Sequence, residues 1–201
     1  MHPHYNKEKM GTTQPIRSKT DVKKFTDYYA VAKPNARNYC LIVLGLHTAL
    51  RIGDILELRW QDVYQFAQKR YVKHLFLREK KTKKASVIAL SHHVTEALET
   101  LRRQKDPQPA DYIFSGAAGA AKPLCRSQAY RIVKEAARET LGETHISCHS
   151  LRKTFGYHAW KQGISPALLM DVYNHSSFVI TRRYLGIDQD DRDLLFQKLD
   201  F

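Results

Sequence analysis

The stretch CHSLRKTFGYHAW, residues 148–160, carries apolar side chains at helical spacing, with Leu151, Phe155 and Trp160 supplying most of one stripe. His149 and Arg152 stand three residues apart near its start, so a helix puts a histidine and an arginine on one face. Taken alone the pair is ordinary, because H-x-x-R recurs by chance in many chains. Its meaning depends on which other residues accompany it along the sequence.

Composition narrows the partners. The chain has 201 residues, enough for one domain with a sizeable core. Lys and Arg number 33 against 20 Asp and Glu, a formal charge of +13. A surface of that sign suits a polyanion, with nucleic acid first; an evenly basic surface is the plainer alternative. The three cysteines, Cys40, Cys125 and Cys148, show no CxxC spacing, so neither a disulfide framework nor a zinc knuckle is signalled. The first twenty residues hold no apolar run, and the longest apolar stretch, residues 39–46, is too short to cross a bilayer. These features predict a soluble, cytoplasmic, nucleoid-associated protein with a flexible N-terminal tail over 1–18.

The rest of the chain supplies the frame. Helical spacing of Val22, Phe25, Tyr28 and Tyr29 predicts a helix ending near residue 32, before Lys33-Pro34. Asn35 caps a second helix, whose NYCLIVLGLHT is apolar nearly all round and belongs in the core. The pattern breaks and resumes around Arg51 and Gly53. VKHLFL and SVIAL flank a basic turn and predict a hairpin or three-stranded meander, whereas SGAAGAAKP reads as loop. Further helices are expected at 92–105, 126–141, 149–161, 166–173, 176–185 and 188–199. The class is α+β, mainly α-helical, with a small antiparallel sheet.

Five elements now stand in order: Arg51 in TALRIGDILELRW, a lysine in EKKTKKASVIAL, HSLR at 149–152, NHSS around His175, and RRYLGI with Tyr184 nine residues after that histidine. Over roughly residues 40–187 the chain resembles the tyrosine recombinases, the phage integrase family, and integrases of mobile elements in particular. The resemblance implies a catalytic domain over 19–201 that cleaves and rejoins double-stranded DNA. Tyr184 would be the nucleophile, forming a 3′-phosphotyrosyl link and freeing a 5′-hydroxyl. Retaining the bond energy in that link leaves no call for ATP, and no metal or other cofactor is implied.

The chemistry explains the company the tyrosine keeps. A phenol with a pKa of about 10 is almost wholly neutral at pH 7, and the transition state at phosphorus gains negative charge that guanidinium forks are shaped to meet. Arg51 and Arg152 would form that clamp. By resemblance His149 handles the proton, His175 bonds a non-bridging oxygen, and Asp54 orients the arginine one turn before it. A hairpin lysine would protonate the leaving 5′-oxygen; the K-T step points to Lys81, with Lys80, Lys83 and Lys84 close enough to compete or to touch the DNA backbone. Arg182 and Arg183, beside the tyrosine, are candidate DNA contacts or plain surface charge. The acidic DQDDRD reads as the start of a last helix rather than a metal site.

Each residue also has an ordinary reading, as packing, cap or solvated charge, and the weight lies in their joint occurrence. Where the family often has glycine, this chain has Ala49 and Asn174; an alanine in a left-handed turn costs on the order of 1 kcal/mol. Lys153 stands where LRH is frequent. Too few residues precede Arg51 to hold the separate N-terminal core-binding domain of many members, so a minimal recombinase or a catalytic fragment is expected. The apolar stripe of Leu194, Leu195, Phe196 and Leu199 is expected to dock on a neighbour in a tetramer on DNA, with accessory DNA-bending proteins as further partners. The alternative function is a DNA-binding accessory or regulatory relative that does not cut; relaxation of supercoils would use the same chemistry.

Overall fold

A computed structural model describes residues 13–80, 83–116, 119–142 and 145–187. Its centre is α2 (Ala36–His47), which the sequence builds from an Asn35 cap, whose Oδ1 accepts the Asn38 N–H at 3.0 Å, and an unbroken apolar run. From Cys40 to Leu46 every residue of this helix is buried. It packs against both α5 (His92–Lys105) and α7 (Cys148–Lys161). α1 (Lys19–Asp27) runs into a π-helical turn, Tyr28–Ala32, and lies against α6 (Arg126–Leu141). Between α2 and α5 stand two short helices, α3 (Ile52–Ile55) and α4 (Trp60–Val63). Burial of Phe25, Tyr29, Trp60 and Phe114 ties these elements into one core.

The sheet content is antiparallel, as expected, but its arrangement differs. Tyr64–Gln65 (β1) pairs with Arg70–Tyr71 (β2), and His74–Arg78 (β3) pairs separately with Ala85–Ala89 (β4). Among the described residues these remain two-stranded sheets, so the three-stranded alternative is not realised. Val72 and Lys73 separate β2 from β3. SGAAGAAKP, read as loop, contributes β5 (Ser115–Gly116) and β6 (Gly119–Pro123). Small residues give no alternating pattern; backbone pairing, with Leu124 N–H on the Phe114 carbonyl at 2.6 Å, holds this hairpin.

The end of the chain builds a smaller lobe. α7 starts at Ser147, whose N–H donates to the Ser150 hydroxyl at 3.1 Å and whose own oxygen accepts the His149 N–H at 3.3 Å. α8 (Pro166–Tyr173) has Ser165 as cap and proline at its first position. α9 (Phe178–Leu185) begins two residues later than expected because Ser177 is the cap. Leu169, Tyr173 and Leu185 form a second core with Ala49, against Phe155 and Trp160 of α7. Residues 13–18, expected in the flexible tail, are instead packed on this lobe: Ile16 is buried and its N–H donates to the Thr154 hydroxyl at 2.9 Å. The helix expected at 188–199 lies outside the described residues. Among them, no helix is long and apolar enough to cross a membrane.

Close approach rather than chain flexibility fixes the lobe on α7. A Cβ at Gly156 would lie 2.2 Å from the Tyr173 hydroxyl and 2.4 Å from a Leu185 methyl. Gly156→Ala should therefore destabilise the fold by about 1–3 kcal/mol, a fall in Tm of about 2–4 °C per kcal/mol at this chain length. Ala49 does adopt the left-handed conformation, with φ 54°. Ala49→Gly relieves about 1–2 kcal/mol of strain, but forfeits about 0.8 for the buried methyl and about 0.5–1 in chain entropy. Thermal melts should show Gly156→Ala clearly lowered and Ala49→Gly within about a degree or two of the parent; equal shifts for both would contradict this balance.

Candidate active site

The chain leaves α2 through the left-handed Ala49, and Arg51 then caps α3 in extended conformation. Its guanidinium forms an ion pair with Glu79, a carboxylate buried at the end of β3 that also accepts from the Ser86 hydroxyl at 3.2 Å. Asp54, expected to orient Arg51, does something else. Its buried carboxylate accepts the Lys80 backbone N–H at 2.9 Å and so ties the hairpin turn to α3. The spacing along α3 suggested the nearer acid, but the hairpin delivers Glu79 from 28 residues away. The Lys80 ammonium pairs with Glu57 at 2.6 Å, and Lys83 and Lys84 are exposed in the same turn. Lys81 lies outside the described residues.

Arg152, on the first turns of α7, is only 3 % exposed. A buried guanidinium needs its donors satisfied. Nη1 donates to the Ala49 carbonyl and Nη2 to the Tyr173 carbonyl at 3.4 Å. Tyr173 returns the contact: its hydroxyl donates to the Arg152 carbonyl at 2.8 Å, and its ring lies 4.7 Å from the guanidinium carbon. Five N–H donors belong to a guanidinium, so these two backbone bonds leave donors to spare, and Arg152 also acts on Tyr184.

Tyr184 sits against this arginine. Its ring centroid is 4.9 Å from that of His149, 5.1 Å from His175 and 5.0 Å from Tyr173. Along one unbroken helix His175 and Tyr184 could not touch, but the separate helices expected at 166–173 and 176–185 leave a bend near His175. The chain bends there: Asn174, at φ 54°, ends α8, and the chain turns through 175–177 before α9. Folding α9 back on α8 closes the gap. The Lys153 ammonium lies 5.6 Å from the Tyr184 ring centroid. Arg183 is exposed and Arg182 half-buried on α9.

Burial dominates the electrostatics. The Tyr184 hydroxyl is buried and makes no hydrogen bond of good length and angle. Desolvation pushes its pKa up to about 12, opposed by the charge and loosely aligned donors of Arg152 and by the charge of Arg51. Desolvation also lowers the pKa of Arg152, an effect to which the like charge of Arg51 adds. His175 is lowered first by desolvation and then by Arg152 and Arg51. Its Nδ1 lies 3.0 Å from the Thr181 hydroxyl.

The profile of the phage integrase family matches residues 18–190, most of the chain. The chain belongs to the phage integrase family. It is 39 % identical over 181 residues to the probable integrase/recombinase YoeC of Bacillus subtilis, covering 90 % of this chain and 93 % of that one. It is 31 % identical over 153 residues to the type 1 fimbriae regulatory protein FimE of Escherichia coli, covering 74 % of each. XerA recombinase shares the fold, with a TM-score of 0.73 at 18 % identity over 94 % of this chain and 68 % of the other. XerH in a post-cleavage complex also gives 0.73, at 19 % identity over 94 % and 52 %.

In this member of the phage integrase family the structure gathers Arg152, His149, His175 and Tyr184 into one cluster and sets the Arg51 charge close enough to act on Tyr184, Arg152 and His175. Sequence reasoning missed Glu79 and Tyr173. Tyr173 reads as one more apolar position of a helix, and the only signal was its place two residues before His175. If Thr181 donates along the shorter of its two contacts, to Nδ1 at 3.0 Å rather than to the Ser177 carbonyl at 3.4 Å, neutral His175 holds its proton on Nε2. Because its pKa is depressed, this residue contributes stability that is present above the ordinary value of about 6.5 and is lost as pH falls through the lowered one. NMR titration should give His175 a midpoint below about 6.5, and a midpoint at or above that value would contradict this environment.

Proposed function

We propose that this chain is a site-specific DNA recombinase or integrase that cuts and rejoins strands through Tyr184. The observation that carries the reading is the enclosure of the Tyr184 ring by His149 and His175, against the buried guanidinium of Arg152. The phenolic oxygen attacks the scissile phosphorus, the bond to the 5′-oxygen breaks, and a 3′-phosphotyrosyl ester forms. Its bond energy is kept for the reverse attack by a 5′-hydroxyl, so the cycle consumes no ATP.

Each residue has a task in that step. The donors of Arg152 not taken up by Ala49 and Tyr173, together with Arg51, stabilise the charge that grows on the phosphoryl oxygens. His149, exposed on the first turn of α7, takes the phenol proton. His175 donates from Nε2 to a non-bridging oxygen. Lys81 supplies the proton to the leaving 5′-oxygen; the preceding Lys80 is held beside α3 by Asp54. Lys80, Lys83, Lys84, Arg182 and Arg183 are proposed to contact the DNA backbone, consistent with a chain of net charge +13.

A neutral, desolvated phenol is a poor nucleophile, so the raised pKa of Tyr184 makes proton transfer to His149 part of the attack. Relatives of the same fold support DNA as the substrate class: XerH is described bound to its difH substrate, and the Tn1549 transposon integrase in complex with circular intermediate DNA. Assembly into a tetramer through residues 188–201 belongs to this proposal.

The test uses nicked duplexes that trap the covalent intermediate, carrying whatever inverted repeats sequencing finds beside the coding sequence. The parent should form a protein–DNA adduct resistant to denaturation, and Tyr184→Phe should form none. Arg152→Lys, which keeps the charge but loses the fork, should slow adduct formation by about a hundredfold or more. An adduct that survives Tyr184→Phe would overturn the assignment. DNA binding without any adduct would favour the non-cleaving, regulatory reading.

A further inference from the structure

The segment Thr13-Gln14-Pro15-Ile16-Arg17 runs along α7 and ends on α9, with a polar contact at nearly every residue. The Thr13 carbonyl accepts from the Lys153 ammonium at 2.7 Å, and the Gln14 N–H donates to the His145 carbonyl at 3.2 Å. Ile16 is buried; its N–H donates to Thr154 and its carbonyl lies 2.9 Å from His158 Nε2. The Arg17 guanidinium stands over the Tyr157 ring and donates to the Gly186 carbonyl at 2.6 Å. Pro15 lies beside the same glycine.

Gly186 is the left-handed cap of α9, two residues beyond Tyr184. α9 has only eight residues, too few to be stable without tertiary support, and Tyr184 lies in its last turn. The Arg183 and Arg182 carbonyls of that turn accept from the N–H groups of Gly186 and Ile187 at 3.3 and 3.2 Å, so the turn is closed by the cap segment itself. Arg17 anchors that segment at the Gly186 carbonyl from 169 residues away, and its cation meets the negative end of the helix dipole. The same segment reaches the other side of the tyrosine through Lys153, whose ammonium is fixed by Thr13 and faces the Tyr184 ring. The helix end and the ring are thus both held by residues 13–17.

We propose that residues 13–17 form a strap that sets the position of Tyr184, and that Arg17 is a positioning residue for strand cleavage. The inference rests on Tyr184 being the nucleophile, but its structural half does not. Without the Arg17 bond the last turn of α9 frays, and the phenol spends less time in line with the phosphorus. DNA binding, which draws on charges elsewhere, is unaffected.

Two readouts on the full chain test this. With the nicked duplex at saturating concentration, Arg17→Ala should form the covalent adduct roughly tenfold more slowly, about the loss of one hydrogen bond to a charged group, with affinity for the duplex unchanged. Arg17→Lys, which still offers a cation to the Gly186 carbonyl, should recover most of the rate. Hydrogen exchange without DNA should show faster exchange at residues 181–187 in Arg17→Ala and no change in α2. An unaltered cleavage rate, or a loss that follows weaker DNA binding, overturns the role in cleavage. Faster exchange throughout the chain makes Arg17 a general stability residue and overturns the strap. If the parent itself forms no adduct, the reading of Tyr184 fails, and the exchange pattern alone decides whether the strap holds α9.

Discussion

The buried guanidinium of Arg152 is the constraint on which the rest of the site depends. A charge taken out of water must find its hydrogen bonds inside the protein, and the acceptors here come from far apart in sequence. The Ala49 carbonyl lies just after α2, and the Tyr173 carbonyl lies at the end of α8. Satisfying one side chain therefore fixes where the central helix ends and where the small lobe docks. Tyr173 locks the arrangement with its hydroxyl on the Arg152 backbone and its ring stacked on His175, 5.3 Å between centroids. The left-handed Ala49 follows from the same demand, since the chain must turn there to aim its carbonyl at the arginine.

Charge and desolvation then divide the labour. Two arginines close enough to influence each other repel, and Glu79 compensates one of them from a buried position. A phosphodiester entering this field would bring the negative charge that the site lacks. Burial meanwhile holds Tyr184 protonated. On the proposed reading, substrate balances the charge of the two arginines, and the phenol gives up its proton as it attacks.

Much of this was legible in the sequence. The Asn35 cap and the apolar run after it announce α2 where the chain forms it. The spacing of His149 and Arg152 places them together on α7. What escaped has a physical reason in each case. Glu79 pairs with Arg51 across a hairpin, and local spacing favoured the nearer Asp54. The break between α8 and α9 is legible, but the contact of His175 with Tyr184 depends on how α9 folds back on α8, which local spacing does not give. The β5–β6 hairpin is made of small residues without alternation. Residues 13–18 read as tail because the contacts of Ile16 and Arg17 lie more than a hundred residues away.

The most direct test of the account is to identify the amino acid that carries the DNA. Mass spectrometry of the trapped adduct, after digestion with protease and nuclease, should find the nucleotide remnant joined through its 3′-phosphate to the peptide containing Tyr184. Attachment to Tyr173 or any other residue, or linkage through a 5′-phosphate, would contradict it.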